Sequence, residues 1–139
     1  MIAGIGVDLC RISRIENALK SEHFRGNVFS LEEIAYCESR GARRLDSYAS
    51  CFAAREAFVK ASGASFGAVM LGRNFTLLRN EDGAPEIRLS GELAEYADSA
   101  IIHVSLSHEG DYACAMVVIE KIVNLNNEVI SNDSENTGF

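Results

Sequence analysis

The sequence predicts a single α+β domain, an antiparallel-rich sheet packed by helices. Three observations lead there. Residues 1 to about 9 alternate with period two, a helical periodicity then runs to Gly63, and strand patterning returns after Phe75 in two hairpins. Strands and helices do not alternate regularly, which argues against a doubly wound α/β fold. At 139 residues the chain is long enough for one self-sufficient core.

Each element has a local reason. In MIAGIGVDL, Met1, Ala3, Ile5, Val7 and Leu9 share one face, and Ile2, Gly4, Gly6 and Asp8 share the other. The strand therefore has an apolar face and a second face stripped of side chains, which leaves space beside Asp8. From Asp8 to about Lys20, Leu9, Ile12, Ile15, Ala18 and Leu19 recur at helical spacing. SLEE at Ser30–Glu33 reads as a capping box opening a short helix that stops near Gly41. A third helix runs from about Asp46 to Ser62 and ends at Gly63. Phe75–Leu78 and Glu86–Leu89 form a hairpin around Asp82-Gly83, and Ser90 caps a short helix. AIIHVSLS and YACAMVVIE form a second hairpin around HEGD. The domain is expected to span residues 1–121. The Asn- and Ser-rich tail from Asn124 is expected to be disordered, because its composition cannot support a core.

Composition narrows the function classes. No apolar run approaches the roughly 20 residues of a membrane-spanning helix, and the N-terminus lacks the basic stretch of a signal peptide. Cys10, Cys37, Cys51 and Cys114 are scattered without metal-site spacing, which predicts free thiols in a cytoplasmic protein. Net charge is −7, unevenly placed: residues 1–60 hold nine Lys/Arg against eight Asp/Glu, and residues 61–139 hold four against twelve. Neither nucleic acid nor membrane is an expected partner, although the N-terminal half can present a local basic face.

Chemistry concentrates in CFAAREAFVKASG, residues 51–63. Glu56 and Lys60 lie four apart, one above the other on a helix whose remaining surface is almost wholly apolar or small. A surface ion pair is one reading; a functional site is the other, since a partly buried carboxylate must be paired or metal-bound. Asp8, at the end of the glycine-faced strand, either caps the following helix or joins Glu56. Two carboxylates from separate elements beside a lysine suit Mg²⁺, which takes one or two protein oxygens and leaves room for water and phosphate. That arrangement points to phosphoryl-type transfer.

GIGVD, FAAREAFVKASG and HVSLSHEGDYACAMV, in this order and spacing, resemble holo-acyl-carrier-protein synthase, the short bacterial group of the 4′-phosphopantetheinyl transferases. The resemblance covers residues 1 to about 121. It implies an enzyme that moves 4′-phosphopantetheine from coenzyme A to a serine of apo-acyl carrier protein. It implies Mg²⁺, with Mn²⁺ as a substitute, on Asp8 and Glu56, and it places Lys60 at the pyrophosphate of coenzyme A, with Gly63 also among the coenzyme A-binding residues. Ser105, Ser107 and His108 fall near the adenosine 3′-phosphate, and the assembly is a homotrimer with sites between protomers. The proton acceptor for the serine is left open between Glu56 and a water on the metal. Arg55 stands where the family usually has Lys, and its role is open too. Arg14, with Arg11 and Lys20 along the same helix, is expected to dock the acidic carrier protein.

Two rival readings use the same residues. REAFVKASG partly matches a Nudix box led by Gly41, but Ser47, Val59 and Lys60 stand where that box needs carboxylates. A non-catalytic coenzyme A or carrier-protein binding module is disfavoured only because Asp8, Glu56 and Lys60 occur together.

Overall fold

The computed structural model describes residues 1–71 and 73–123; the tail from Asn124, read as disordered, lies outside them. The order is β1 (Ile2–Arg11), α1 (Ile12–Ala18), α2 (Glu22–Val28), α3 (Leu31–Glu38), α4 (Arg44–Ser62), α5 (Phe66–Met70), β2 (Phe75–Arg79), β3 (Pro85–Leu89), α6 (Ala94–Ser99), β4 (Ala100–Glu109) and β5 (Tyr112–Lys121). Two antiparallel sheets result, β1-β5-β4 and the β2-β3 hairpin, around the long helix α4. This is the expected α+β architecture. Among the described residues no helix is long and apolar enough to cross a membrane.

The faces of β1 are reversed relative to a simple hydropathy reading. Ile5, Val7 and Leu9 are 61%, 54% and 62% exposed, whereas Gly6, Asp8 and Cys10 are buried. Ala57 and Ala61 of α4 explain why. A β-carbon on Gly4 would lie 1.8 Å from the Ala61 carbonyl oxygen, and one on Gly6 1.9 Å from that of Ala57. The space left by the missing side chains is filled by the helix backbone, not held open for a ligand. Ala113, Ala115 and Val117 of β5 complete the small-residue floor on which α4 rests. Gly6→Ala is expected to force β1 and α4 apart and to cost about 3 kcal/mol or more, the upper end of overpacking effects. Urea unfolding checks this, and an unchanged midpoint would refute the close approach.

Several local expectations need correction. The first helix begins at Ile12, with Arg11 at its N-cap, so Asp8 caps nothing and Leu9 is a strand residue. The helix also ends at Ala18, and α2 follows with Ser21 accepting from the Phe24 amide. Neither α2 nor α5 stands out in the hydropathy pattern, because helices of five to seven residues hold too few turns to show a period. Ser90 makes no side-chain cap; a 3₁₀ turn over Gly91–Leu93 precedes α6. Gly63, in contrast, ends α4 in the left-handed region at φ 70°, where its N–H reaches the Val59 carbonyl.

The Ser30–Glu33 capping box forms, but Glu33 is fully buried and does more than cap. Its carboxylate accepts from the Ser30 amide (2.8 Å), from the Leu77 amide (3.1 Å) and from both terminal nitrogens of Arg55 (Nη1–Oε2 2.7 Å). Arg55 is also fully buried, between the rings of Phe29 (5.4 Å) and Phe75 (5.0 Å), and donates to the carbonyls of Cys51 and Phe75. The pair ties α3, α4 and β2 together. The role left open for Arg55 in the sequence is thus structural: its charge is spent on Glu33 and does not reach solvent.

Candidate active site

Asp8 and Glu56 meet where the buried face of β1 passes the outer stripe of α4. Asp8 is 9% exposed and Glu56 half-buried. Lys60, one turn after Glu56, donates to the Val7 carbonyl (2.9 Å) and to Asp8 Oδ1 (3.3 Å). Its side chain is 56% exposed, so the ammonium stays accessible to a ligand. Burial raises the pKa of Glu56, and so do its hydrogen bond to Asp8 and the Asp8 charge; the charges of Arg14 and Lys60 oppose the rise. The two carboxylates therefore share one charge-crowded spot. A recess of about 160 Å³ lined by Glu56, Val59, Lys60 and Phe66 opens beside them. Cys10, two residues from Asp8, is no nucleophile: burial pushes its thiol up to about 11.

The remaining site residues expected from the sequence lie elsewhere. Cross-strand register pairs Ser105 with Met116 and Val7, and Ser107 with Cys114 and Leu9, so both serines stand on the exposed sheet face, away from α4. His108 pairs with Ala113, opposite Cys10, and is on the α4 side, within β4 and not in the turn. However, β4 and β1 are the two edges of the sheet, with β5 between them. Within this chain, His108 and the two serines are thus separated from Asp8 and Glu56.

His108 instead lines a cleft of about 210 Å³ with Arg40, Arg43 and Arg79, together with Tyr36, Asp46, Ser47 and Ser50. This larger cleft is not the one beside the carboxylates. Sequence reasoning missed Arg79 and Ser50 as companions of His108, because the cleft draws on α3, α4, β2 and β4, which are distant in the chain. The arginines of the N-terminal half were a signal for Arg40 and Arg43 alone; nothing in the sequence joined Arg79 to them.

The basic stripe expected on one helix does not form as such. Arg11 belongs to β1 and its guanidinium is engaged with Tyr112, donating to the phenol oxygen at 2.9 Å. Lys20 lies past the end of α1 in a turn. Arg14 is the one of the three on α1, and its guanidinium lies 5.6 Å over the Phe52 ring of α4.

A small α+β domain that sets two carboxylates and a lysine side by side, with a recess at Glu56 and Lys60, has the build of a phosphoryl-type transferase. A family model described as the 4′-phosphopantetheinyl transferase superfamily matches residues 4–117, and the chain belongs to that family. Holo-[acyl-carrier-protein] synthase of Ruminiclostridium cellulolyticum is 42% identical over 120 residues, covering 83% of this chain and 90% of the relative. That of Methylorubrum populi is 39% identical over 131 residues, covering 88% and 96%. Among solved structures, the synthase of Neisseria meningitidis matches with a TM-score of 0.78 at 33% identity, over 87% of this chain and all of that one. The Bacillus anthracis synthase in complex with coenzyme A (3′,5′-ADP) gives 0.73 at 31% identity, over 88% and 99%.

Proposed function

We propose that this chain transfers 4′-phosphopantetheine from coenzyme A to a serine hydroxyl of apo-acyl carrier protein and releases adenosine 3′,5′-bisphosphate. The observation that carries this is the convergence of Asp8 and Glu56 beside Lys60, in a family whose relatives at 42% and 39% identity are named holo-acyl-carrier-protein synthase.

The donor set fits Mg²⁺ or Mn²⁺. Asp8 and Glu56 offer two hard oxygen ligands, and their mutual repulsion is what a divalent cation would relieve. When bound, the ion supplies charge neutralisation at the pyrophosphate. Asp8 and Glu56 would hold it, and Lys60 meets the charge that develops on the leaving bisphosphate. A Glu56 oxygen left free by the ion would accept the serine proton. Gly63 frees the turn after α4 of side-chain bulk near that phosphate.

The 3′-phosphoadenosine end belongs in the arginine-lined cleft at His108, where Arg40, Arg43 and Arg79 supply the counter-charge. That cleft and the carboxylates are on opposite edges of one protomer's sheet, so a second copy completes the site. The exposed apolar face supports this. Ile5, Val7, Leu9, Ile101 and Met116, each 45–62% exposed, stand on one sheet face with Ser105 and Ser107, an exposed apolar surface of the kind buried between subunits. A homotrimer is the assembly we assign, measurable by light scattering on the eluting protein. The four described cysteines are free thiols, in keeping with a cytoplasmic location. Arg14 and Lys20 give the α1 end a positive rim for an acidic carrier protein.

Incubation with coenzyme A, Mg²⁺ and an apo-carrier protein, followed by intact mass of the carrier, tests the reading. A mass increase of one phosphopantetheine supports it. Coenzyme A binding without any mass change would leave a silent binding module, and hydrolysis of coenzyme A without a carrier would mark a pyrophosphohydrolase. Lys60→Ala should lower turnover at least about tenfold, equivalent to about 1.4 kcal/mol. Stability should barely change, since the lysine side chain is largely exposed. Wild-type turnover in that variant would reduce Lys60 to a surface partner of Asp8.

A further inference from the structure

One face of α4 carries Phe52, Glu56 and Lys60 at intervals of four, so the three side chains stand in one row that runs from buried Phe52 through half-buried Glu56 to exposed Lys60. Lys60 closes the row at one end, bound to Asp8. The other end is not apolar, as Phe52 alone would make it: the Arg14 guanidinium from α1 lies over that ring. Two cations therefore bracket Glu56, with backbone positions of Phe52 and Lys60 about 12 Å apart along the helix. Among the described residues no hydrogen bond engages the Arg14 guanidinium, unlike that of Arg11, which is committed to Tyr112. A planar fork pre-set against an aromatic face, with its donors free, is built to take oxygens of an anion.

We propose that Arg14 is a catalytic residue as well as a docking charge: its free N–H donors hold the non-bridging oxygens of the phosphoryl group in transit, on the side of Glu56 away from Lys60. The inference rests on the transferase reading above. In that reaction the serine oxygen bonds to the phosphorus of phosphopantetheine. The bond from that phosphorus to the bridging oxygen breaks, its electron pair leaves with adenosine 3′,5′-bisphosphate, and the serine proton passes to Glu56. Arg14 forms no covalent bond. It neutralises the incoming side of the phosphoryl group while Lys60 neutralises the outgoing side, and Phe52 fixes the plane in which its donors point.

A split between turnover and carrier affinity tests the assignment. Arg14→Gln should lower kcat at least tenfold with both carrier protein and coenzyme A saturating, and the loss should persist at high salt, where a rim charge is screened. Arg14→Lys should recover only part of it, because an ammonium restores charge but not the flat fork. Phe52→Leu, which leaves every charge in place, should also lower kcat. Urea midpoints establish that each variant is folded, and Mn²⁺ affinity by electron paramagnetic resonance should be no weaker in Arg14→Gln than in the wild type, since the change removes a cation from beside the metal-binding carboxylates. A wild-type kcat in Arg14→Gln, with only the Michaelis constant for the carrier raised and the rise abolished by salt, would make Arg14 a docking charge and overturn the proposal. A wild-type chain that transfers nothing would instead overturn the reading beneath it.

Discussion

Glu56→Gln should all but abolish transfer, with turnover lower by on the order of a hundredfold or more, while the protein stays folded. The substitution keeps the shape of the side chain and removes the charge that would hold a divalent ion and take the serine proton, and the loss of one preorganised electrostatic group in such a site costs that much. Excess EDTA should silence the wild-type enzyme to the same extent. Stability should move the other way. Burial and Asp8 raise the pKa of Glu56, so the folded state binds this proton more tightly than the unfolded chain. Its contribution is fully present below the ordinary carboxylate value of about 4.5 and is lost as pH rises through the raised value. In metal-free protein at pH 7 the ionised Glu56 thus opposes folding, and Glu56→Gln should raise the unfolding midpoint there, with the difference vanishing near pH 4. Calorimetry of both proteins with EDTA at the two pH values checks this. A variant less stable than the wild type at pH 7 would make Glu56 a structural residue.

Arg55→Met should be the most damaging single change outside the row of Phe52, Glu56 and Lys60. It leaves the Glu33 carboxylate fully buried with its cation removed, a situation that costs about 3–5 kcal/mol. Arg55→Lys should cost far less, since one ammonium can still meet Glu33, although it cannot also reach the carbonyls of Cys51 and Phe75. Urea unfolding should rank the variants wild type, Lys, Met. Adding Glu33→Gln to Arg55→Met should restore part of the loss, because the uncompensated charge is gone while the amide oxygen can still accept from Ser30 and Leu77. If Arg55→Met instead left the midpoint unchanged and lowered turnover, Arg55 would belong to the phosphate site after all.

Much of the reactive row is legible in the chain itself. Glu56 and Lys60 stand out because helical periodicity is local, and a carboxylate and an ammonium on an otherwise apolar helix violate the pattern around them. Asp8 is legible because period-two alternation puts it on the face shared with Gly4 and Gly6. Hydropathy misreads that face in kind, however. Glycines in a strand can mean room for a ligand or room for another backbone, and only the position of Ala57 and Ala61 decides between them. Glu33 is visible as a cap and Arg55 as a departure from a family pattern. Nothing along the chain joins them, since 22 residues separate partners that meet in the core.

Spacing along the chain is enough to specify the longer helices, the two hairpins, the capping box, the helix stop at Gly63 and the row of Phe52, Glu56 and Lys60. All of these depend on interactions within a few residues, where spacing dictates geometry. Tertiary packing alone chose which face of β1 is buried, consumed the Arg55 charge on Glu33, and laid Arg14 on Phe52 while Arg11 went to Tyr112. It also set His108 and Asp8 at opposite edges of one sheet. These outcomes depend on how helices and strands pack across long stretches of chain, and side-chain burial there is settled by close approach of backbones, a quantity that hydropathy does not encode.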